Sequence, residues 1–374
     1  RIPAHPKPHA TDALALPAAA TLDSLVRVTH FATLLHCRTR RRVRRPRLLL
    51  ALAGIGIACA ARQPPAAARP EAGAARTRAN GTPAPRPLVI SSRNSDRVKQ
   101  RWEATPGGAG NAVAVSRALD RVAYSNGQGT LLYALGSGKP VDTGLTTCNP
   151  VVRGGLAFSD RRLVVVCEGA VKLRDATEPA RDLPIAPTPV TAAALAGDRL
   201  ALAHRDGVVR IYPLAGGAPV EIPVPGPPID VKSLALTADG ARLAVAWVQG
   251  SIWWWDTAAP AAPHDLVRHD RESDTLCFSR DGALLAEEGE SFYTTVWSDL
   301  VGTPTAKARL RNGSWVKRLL FTHDGAWLVR GGSDGLELAE IAGPKRVVLD
   351  DRGSVEDVAM SEDGAVLAAA DREG

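Results

Sequence analysis

Histidine and cysteine are the residue types through which this chain of 374 residues could most readily do chemistry. Beyond residue 95 there are four histidines, and none belongs to a His-x-His, His-Glu-x-x-His or Cys-x-x-Cys pattern, the spacings that bind zinc. The sequence also lacks a P-loop, a dinucleotide-binding fingerprint and a G-x-S-x-G nucleophile turn. It therefore predicts no metal, no cofactor and no catalytic residue.

Two stretches around these histidines have their own interpretations. The segment "HDLVRHDRESD", which begins at His264 and includes His269, is polar and is predicted to be a surface loop. A metal site in this loop is the lesser alternative. His323 lies in a turn and is predicted to be solvated.

Short apolar runs with strand periodicity recur along the chain. In "LALTADGARLAVAWVQGSIWWWD", from Leu234, apolar residues fall on every second position, which is typical of β-strands. The "TADG" between two runs predicts a tight turn, in which Asp and Gly supply the backbone angles. Similar units recur with turn aspartates 38 to 43 residues apart, a spacing that indicates a propeller. The seven turn aspartates are Asp120, Asp160, Asp198, Asp239, Asp281, Asp324 and Asp363.

The same stretch resembles a WD40 repeat, with Trp255-Asp256 in the place of the terminal Trp-Asp pair. The "VWSD" that ends at Asp299 is a looser match, and the turns are also similar to those of TolB-type propellers. The resemblance implies an all-β fold, a seven-bladed WD40-like β-propeller over residues 87–374, with four antiparallel strands in each blade. The Gly-His pair that opens a WD40 repeat is absent, so the family's buried Asp–His–Ser/Thr–Trp network is not expected.

The three consecutive tryptophans have a structural explanation in such a fold. Alternation puts Trp254 on one face of a strand and Trp253 and Trp255 on the other. Blades stack face to face, so both faces are predicted to be buried between neighbouring blades. A ligand-stacking tryptophan box is the alternative.

Cysteine placement offers one candidate disulfide. Cys148 precedes the first strand of the second repeat and Cys167 ends its second strand, so antiparallel pairing puts both at one end of the blade. An exported protein would allow a disulfide between them, and two free thiols are the alternative. Cys277 is predicted to be a small core residue.

Charge divides the chain into two parts. Residues 1–95 hold 16 Lys/Arg and 3 Asp/Glu, whereas residues 96–374 hold 30 and 36. The positive excess thus lies outside the predicted propeller, which argues against nucleic acid as a partner. Residues 1–37 are unexplained and predicted to be disordered, as part of a basic N-terminal tail. We expect the natural protein to start near Val43.

The basic residues lead into a segment, 38–60, that is typical of an export signal. "RTRRRVRRPR" precedes the short apolar run "LLLALAGIGIACA". The run is too short to span a bilayer as a helix, which needs about 20 residues. Its end resembles a bacterial lipobox with Cys59 as the lipidated residue; ordinary signal cleavage and no export are the alternatives. Residues 61–86 are an Ala/Pro/Arg-rich linker.

The predicted function is a non-enzymatic protein-interaction scaffold, a monomeric propeller tethered to the cell envelope. Its partners would be proteins and, through the lipid anchor, the membrane. The alternatives are a ligand-binding or enzymatic propeller with its site at the channel mouth, the sensor part of a longer chain, and a cytoplasmic location. Converging titratable residues at the channel mouth would favour the enzymatic alternative.

The last repeat stops after two strands, so the chain needs segments from its N-terminal part to complete this blade. We predict that residues 97–103 pair into the last blade as its outer strand. Residues 87–92 are predicted to supply the third strand. If residues 97–103 are detached from the last blade, the chain is a fragment whose remaining strands lie beyond Gly374.

Overall fold

The structure is a computed structural model, and it describes residues 48–53, 90, 98–104, 110–126, 129–145, 151–159, 162–175, 180–224, 231–269, 272–289 and 292–371. These residues belong to one unit, Arg44–Gly374. The basic tail, the predicted lipobox with Cys59 and the predicted linker lie outside the described residues.

Strands account for the regular structure of the described residues, which contain 28 strands and no α-helix. The all-β prediction is confirmed. The strands form seven four-stranded units, which we call blades 1 to 7.

The strand bounds are as follows. Blade 1 contains β3 (Gly110–Ser116), β4 (Arg121–Asn126), β5 (Gly129–Ala134) and β6 (Pro140–Leu145); blade 2 contains β7 (Val151–Ser159), β8 (Arg162–Cys167), β9 (Val171–Asp175) and β10 (Arg181–Leu183). Blade 3 contains β11 (Val190–Ala196), β12 (Arg199–His204), β13 (Val208–Pro213) and β14 (Val220–Pro223); blade 4 contains β15 (Val231–Leu236), β16 (Arg242–Trp247), β17 (Ser251–Asp256) and β18 (His264–Arg268). Blade 5 contains β19 (Thr275–Phe278), β20 (Leu285–Glu288), β21 (Tyr293–Ser298) and β22 (Thr305–Arg311); blade 6 contains β23 (Val316–Phe321), β24 (Trp327–Gly332), β25 (Gly335–Glu340) and β26 (Arg346–Asp350). Blade 7 contains β27 (Val355–Met360), β28 (Val366–Asp371), β1 (Leu48–Ala53) and β2 (Val98–Ala104).

The first strand of each blade is its inner strand, and the inner strands contact one another in a closed cycle from β3 to β27 and back. Successive blades are separate sheets except that one parallel pair, Ala192 with Arg153, joins blades 2 and 3. Apolar side chains fill the spaces between neighbouring blades. The core is therefore a ring of layers between sheets.

The turn between the first two strands of a blade is built by hydroxyl and carboxylate groups. In blade 4, Thr237 Oγ1 donates to Asp239 Oδ1 (2.6 Å), and the same carboxylate oxygen accepts the Ala241 N–H (2.9 Å). Gly240 carries the positive φ of the turn, 69°, so the glycine and not the aspartate supplies the left-handed angle. The same arrangement recurs at Ser279–Asp281, Thr322–Asp324 and Ser361–Asp363.

Blade 7 is completed from the N-terminal part, although not wholly by the predicted segments. Residues 98–104 form β2 in the sheet of β27 and β28, which confirms the prediction for 97–103. The third position is taken by β1, which pairs with β28 and with β2. The prediction that 87–92 supplies this strand is wrong. An uninterrupted apolar run suits a covered strand, whereas "PLVISS" begins with a proline that cannot donate to a ladder.

Ile90 is the one described residue of the segment 87–92, and it has a different role. It is fully buried in the core between blades 6 and 7. Its N–H donates to the carbonyl of Gly364, 2.8 Å away in the β27–β28 turn. This position fastens the chain to blade 7 without adding a strand.

The tryptophan predictions are confirmed. Trp255 and Trp253 pack between blades 3 and 4, whereas Trp254 packs between blades 4 and 5 and is 2% exposed. Trp255 Nε1 is buried without a hydrogen-bond partner in the described part of the chain, so the WD40 hydrogen-bond network is absent here. His264 stacks on Trp254 with ring centroids 4.1 Å apart.

Two histidine predictions are corrected. His264 begins the outer strand β18, in which it pairs with Trp254 of β17 and stacks on that indole, so the first part of the stretch is a strand and not a loop. His323 is half-buried, because it packs against Gly364 of blade 7, where an added Cβ would lie 2.3 Å from His323 Nδ1. Burial lowers the pKa of His323.

Truncation of the inter-blade indole tests this packing. Trp254→Ala is expected to lower the free energy of unfolding by about 3–5 kcal/mol, because a large cavity opens between blades 4 and 5. Urea denaturation measures the change, and Val220→Ala, at an exposed valine, is the control with an expected change within about 0.5 kcal/mol. A loss under about 1 kcal/mol for Trp254→Ala would contradict burial between blades.

Candidate functional site

Polar side chains on the inner strands connect neighbouring blades at one end of the ring. We call the end at which the inner strands begin the upper face. Ser233 Oγ accepts the Leu276 N–H (3.1 Å), and Thr275 Oγ1 accepts the Leu319 N–H (3.3 Å). In each pair the hydroxyl lies on one inner strand and the amide on the next, so these contacts fix the spacing of blades 4, 5 and 6.

A buried carboxylate makes the same connection where the ring closes. Asp357 on β27 accepts the Val113 N–H of blade 1 through Oδ2 (2.9 Å). Its Oδ1 lies 3.2 Å from Nε of Arg318 on β23. Asp357 therefore links blades 6, 7 and 1. Burial raises the pKa of its carboxyl, and the Arg318 guanidinium opposes that change.

A second arginine joins blades that are not neighbours in the ring. Arg153 on β7 of blade 2 donates through Nη1 to the carbonyl of Asp274 (2.5 Å), just before β19 of blade 5. Its Nη2 also lies 3.9 Å from the Asp274 carboxylate. This contact braces the mouth of the channel at the upper face.

Further buried ionisable groups from blade 5 and from the segment before it lie beside this brace. His269 Nε2 lies 3.0 Å from Oε1 of Glu287, and both side chains are almost wholly buried. Glu288 is 5% exposed. Burial raises the pKa of Glu288 to about 8, and the carboxylates of Asp274 and Glu287 add to the rise.

Titratable residues thus converge at the channel mouth, the feature expected of a ligand-binding or enzymatic propeller. Their geometry gives a structural role instead. Asp274 and Asp357 each accept hydrogen bonds or ion pairs from within the fold, and all four acidic residues, Asp274, Glu287, Glu288 and Asp357, are at most 8% exposed. In the described part of the chain, no group of His, Cys, Asp and Glu side chains could hold a metal ion.

One solvent-exposed aromatic side chain is hydrogen-bonded to the Asp274 carboxylate of this brace. Trp315, just before β23, donates its indole Nε1–H to Oδ2 of Asp274 (2.8 Å), while the residue remains 45% exposed. The hydrogen bond fixes the orientation of the ring. An indole held in place and open to solvent is typical of a binding surface.

Phe292, directly before β21, is a second exposed aromatic on the upper face. It is 49% exposed and has a φ of 64°, a conformation that bulky residues rarely adopt. Its carbonyl accepts the Asn312 N–H (2.7 Å), three residues before Trp315. An exposed and strained phenylalanine costs free energy without adding to the core, and such positions cluster at functional sites.

Beside Trp315 lies a cavity of about 340 Å³ at the upper face of blade 6. Trp315 and Val348, which is 62% exposed, provide its apolar walls. Its lining also contains five charged residues and four glycines. Gly332 allows the close approach of the chain here, because an added Cβ would lie 2.1 Å from the Trp315 carbonyl oxygen. We call this the blade 6 cavity.

The cysteines predicted as site residues are only partly described. Cys59 and Cys148 lie outside the described residues. Cys167 is disulfide-bonded; its pairing with Cys148 stays a prediction. Cys277 is a buried free thiol, and burial raises its pKa to about 12.

Sequence reasoning missed the brace and the cavity. It treated His269 as a loop residue, whereas the His269 N–H donates to the Gly250 carbonyl of blade 4 and its side chain is buried against Glu287 of blade 5. It also missed the pairing of His204, whose Nδ1 lies 3.1 Å from Thr188 Oγ1 in blade 3. Several inner strands have a charged residue near their start, where a buried strand is expected to have apolar residues. These charged residues were the signal in the sequence from which the brace could have been found.

No protein-family model matches the sequence, and no curated protein sequence matches it. The fold is widespread, because 1685 chains of solved structures are similar to it. One is a chain of "Crystal Structure of Mitotic Checkpoint Complex", with a TM-score of 0.60 and 18% identity, covering 70% of this chain and 86% of that one. At this identity the likeness shows the fold alone, an all-β, WD40-like propeller. None of the described residues forms a helix that could cross a membrane.

Glu288 should make stability depend on pH. Its carboxyl has a folded-state pKa of about 8 against an ordinary value of 4.5, so the folded state holds a proton that the unfolded chain releases. Stability should fall as pH rises from about 4.5 to about 8. Glu288→Gln, neutral throughout, should remove this part of the loss and be more stable than the wild type at pH 8.

Urea midpoints measured between pH 4 and pH 9 give the comparison. Glu272→Gln, at a more exposed carboxylate on the same face, is the matched control and should follow the wild-type profile. Parallel profiles for the wild type and Glu288→Gln would show that Glu288 is not protonated in the fold.

Proposed function

We propose that the chain is a seven-bladed, monomeric WD40-like propeller that acts as a non-enzymatic protein-interaction scaffold. Its docking surface is the upper face of blades 5 and 6. The observation that carries this proposal is the exposed indole of Trp315, held by Asp274 beside the blade 6 cavity. Protein interfaces use rigid aromatic anchors in this way.

The second aromatic supports the same surface. Phe292 adds exposed apolar area on the same face as Trp315, at a position where Asn or Gly would fold with less strain. Both aromatics directly precede strands, Phe292 before β21 and Trp315 before β23, and Asp274 holds the indole of Trp315, so the surface is rigid before binding. A rigid surface loses less conformational entropy when a partner docks.

A ligand-binding or enzymatic site at the channel mouth is the second candidate function. The raised pKa of Glu288 favours it, because catalytic acids have perturbed pKa values. The burial of the carboxylates and their pairing with Arg153, Arg318 and His269 weigh against it, since a substrate would have to displace these partners. We therefore place the function on the exposed aromatics.

The proposal includes export and tethering through Cys59, in the manner of bacterial lipoproteins. The basic run, the apolar run and the lipobox-like end support it. A disulfide at Cys167 also fits an oxidising compartment. Cleavage before Cys59 would remove residues 48–53, so a mature lipoprotein and β1 in blade 7 exclude each other in one molecule. Cytoplasmic retention is the alternative that keeps β1.

Intact mass and N-terminal sequencing of the native protein separate these two outcomes. A lipid-modified N-terminus at Cys59, lost together with membrane association in Cys59→Ala, is the expected result. Cys277→Ala, at a buried cysteine, is the control and should leave both unchanged. Peptides that cover residues 48–53 in the mature protein would contradict tethering and favour retention of β1.

Replacement of Phe292 should separate binding from folding. Phe292→Asn places a residue that tolerates positive φ in this turn, so stability should stay equal or rise by up to about 1 kcal/mol. Capture of partner proteins by the tagged chain should fall for Phe292→Asn and for Trp315→Ala. Val301→Asn, at another exposed apolar residue, is the control.

Quantitative mass spectrometry of cross-linked partners measures capture, and thermal unfolding measures stability. Proteins retained equally by the wild type, Phe292→Asn and Trp315→Ala would show that this surface is not the docking site.

A further inference from the structure

The charges around the blade 6 cavity are not balanced. Its lining contains Arg330, Arg346, Asp334, Glu337 and Asp351. Arg330 is 1% exposed, and its guanidinium forms an ion pair with Glu337 within blade 6. These two charges cancel inside the wall, so the balance at the opening depends on the other three residues.

Two of those three residues are exposed carboxylates. Asp334 lies in the β24–β25 turn and Asp351 directly follows β26, and both are exposed. Neither has a hydrogen-bond or ion-pair partner among the described residues, although carboxylates on this protein are commonly paired. Arg346, the remaining charge, donates to the Arg311 carbonyl. The opening of the cavity therefore has a net negative charge.

The aromatic wall favours the same kind of ligand. The face of an indole ring attracts a cation within about 6 Å of its centroid, most strongly among the aromatic side chains. The hydrogen bond from Trp315 Nε1 to Asp274 holds the ring in position at the cavity. Val348 supplies an apolar surface for the aliphatic part of a long side chain.

We infer that the blade 6 cavity binds a lysine or arginine side chain of the partner protein. The aliphatic stem contacts Trp315 and Val348, and the charged end lies between Asp334 and Asp351. Charge complementarity selects this occupant, and the net charge of −6 over residues 96–374 attracts a basic segment to the surface. The inference rests on the proposed docking function and specifies what the partner presents.

Three small probes test the inference on the full chain: N-acetyl-lysine methylamide, N-acetyl-norleucine methylamide and N-acetyl-glutamate methylamide. Chemical shifts of the tryptophan indole N–H groups and of the backbone amides report binding, and Trp315→Phe identifies the indole signal of Trp315. The lysine probe should shift Trp315, Asp334 and Val348, and its affinity should fall as salt is raised.

The double variant Asp334→Asn, Asp351→Asn should weaken lysine-probe binding by about tenfold, since it removes two negative charges that attract the ammonium group. Both positions are exposed, and thermal unfolding confirms that the variant folds. Asp265→Asn, at a carboxylate paired with Arg268 away from the cavity, is the control and should bind the lysine probe like the wild type.

Four outcomes would overturn the inference. Equal binding of the norleucine probe would make the cavity a purely apolar cleft. Tighter binding of the glutamate probe would make it an anion site formed by Arg330 and Arg346. The absence of any shift with the lysine probe would remove the site. A concentration-dependent dimer that Trp315→Ala abolishes would make a second copy of the chain the occupant.

The proposed function can fail separately. If Trp315-dependent capture of partners persists while the lysine probe does not bind, the docking surface stands and the partner chemistry is wrong. If the lysine probe binds but Trp315→Ala and Phe292→Asn retain every captured protein, the cation site stands and the docking function is wrong.

Discussion

A ring of separate sheets is closed only when its last blade is attached to its first, and the Asp357 carboxylate makes this attachment at the upper face. It accepts the Val113 N–H of blade 1 and pairs with Arg318 of blade 6. At the opposite end, the Glu362 carboxylate accepts the Ala118 N–H of blade 1 (2.6 Å). The buried carboxylate of Asp357 would be costly without partners. Closure of the ring supplies these partners, and the contacts in turn stabilise the closed ring.

The brace at the channel mouth transmits this rigidity to the surface. Arg153 holds Asp274 from the far side of the channel, and Asp274 in turn holds the indole of Trp315. An exposed tryptophan that depended only on contacts within its own blade would have more freedom to rotate. The buried charges therefore support the proposed binding surface although they do not face solvent, because they fix the exposed side chain of Trp315.

Local patterns in the sequence predicted the repeats but not the site. The turn aspartates and the alternation around Trp254 are repeated within each unit, so each can be recognised from a few adjacent residues. The brace combines residues more than 100 positions apart, Arg153 and Asp274. No short-range rule specifies that contact, because it depends on the closed order of all the blades. The polar residues at inner-strand starts were the one local sign of it.

The third strand of blade 7, which was predicted at residues 87–92, shows a second limit, which is chemical. An apolar run of six residues meets the requirements of a central β-strand and also those of the core of an export signal. Composition cannot separate the two, since both environments reward the removal of apolar groups from water. The two roles differ in what happens to the segment afterwards. In the fold, the Leu48–Ala53 backbone pairs with both β28 and β2. In the proposed export, the same residues are removed by cleavage. Loss of this strand would leave β28 with an open edge in blade 7, and open edges favour association with other chains. Retention of β1 therefore decides whether the last blade is closed by the chain itself.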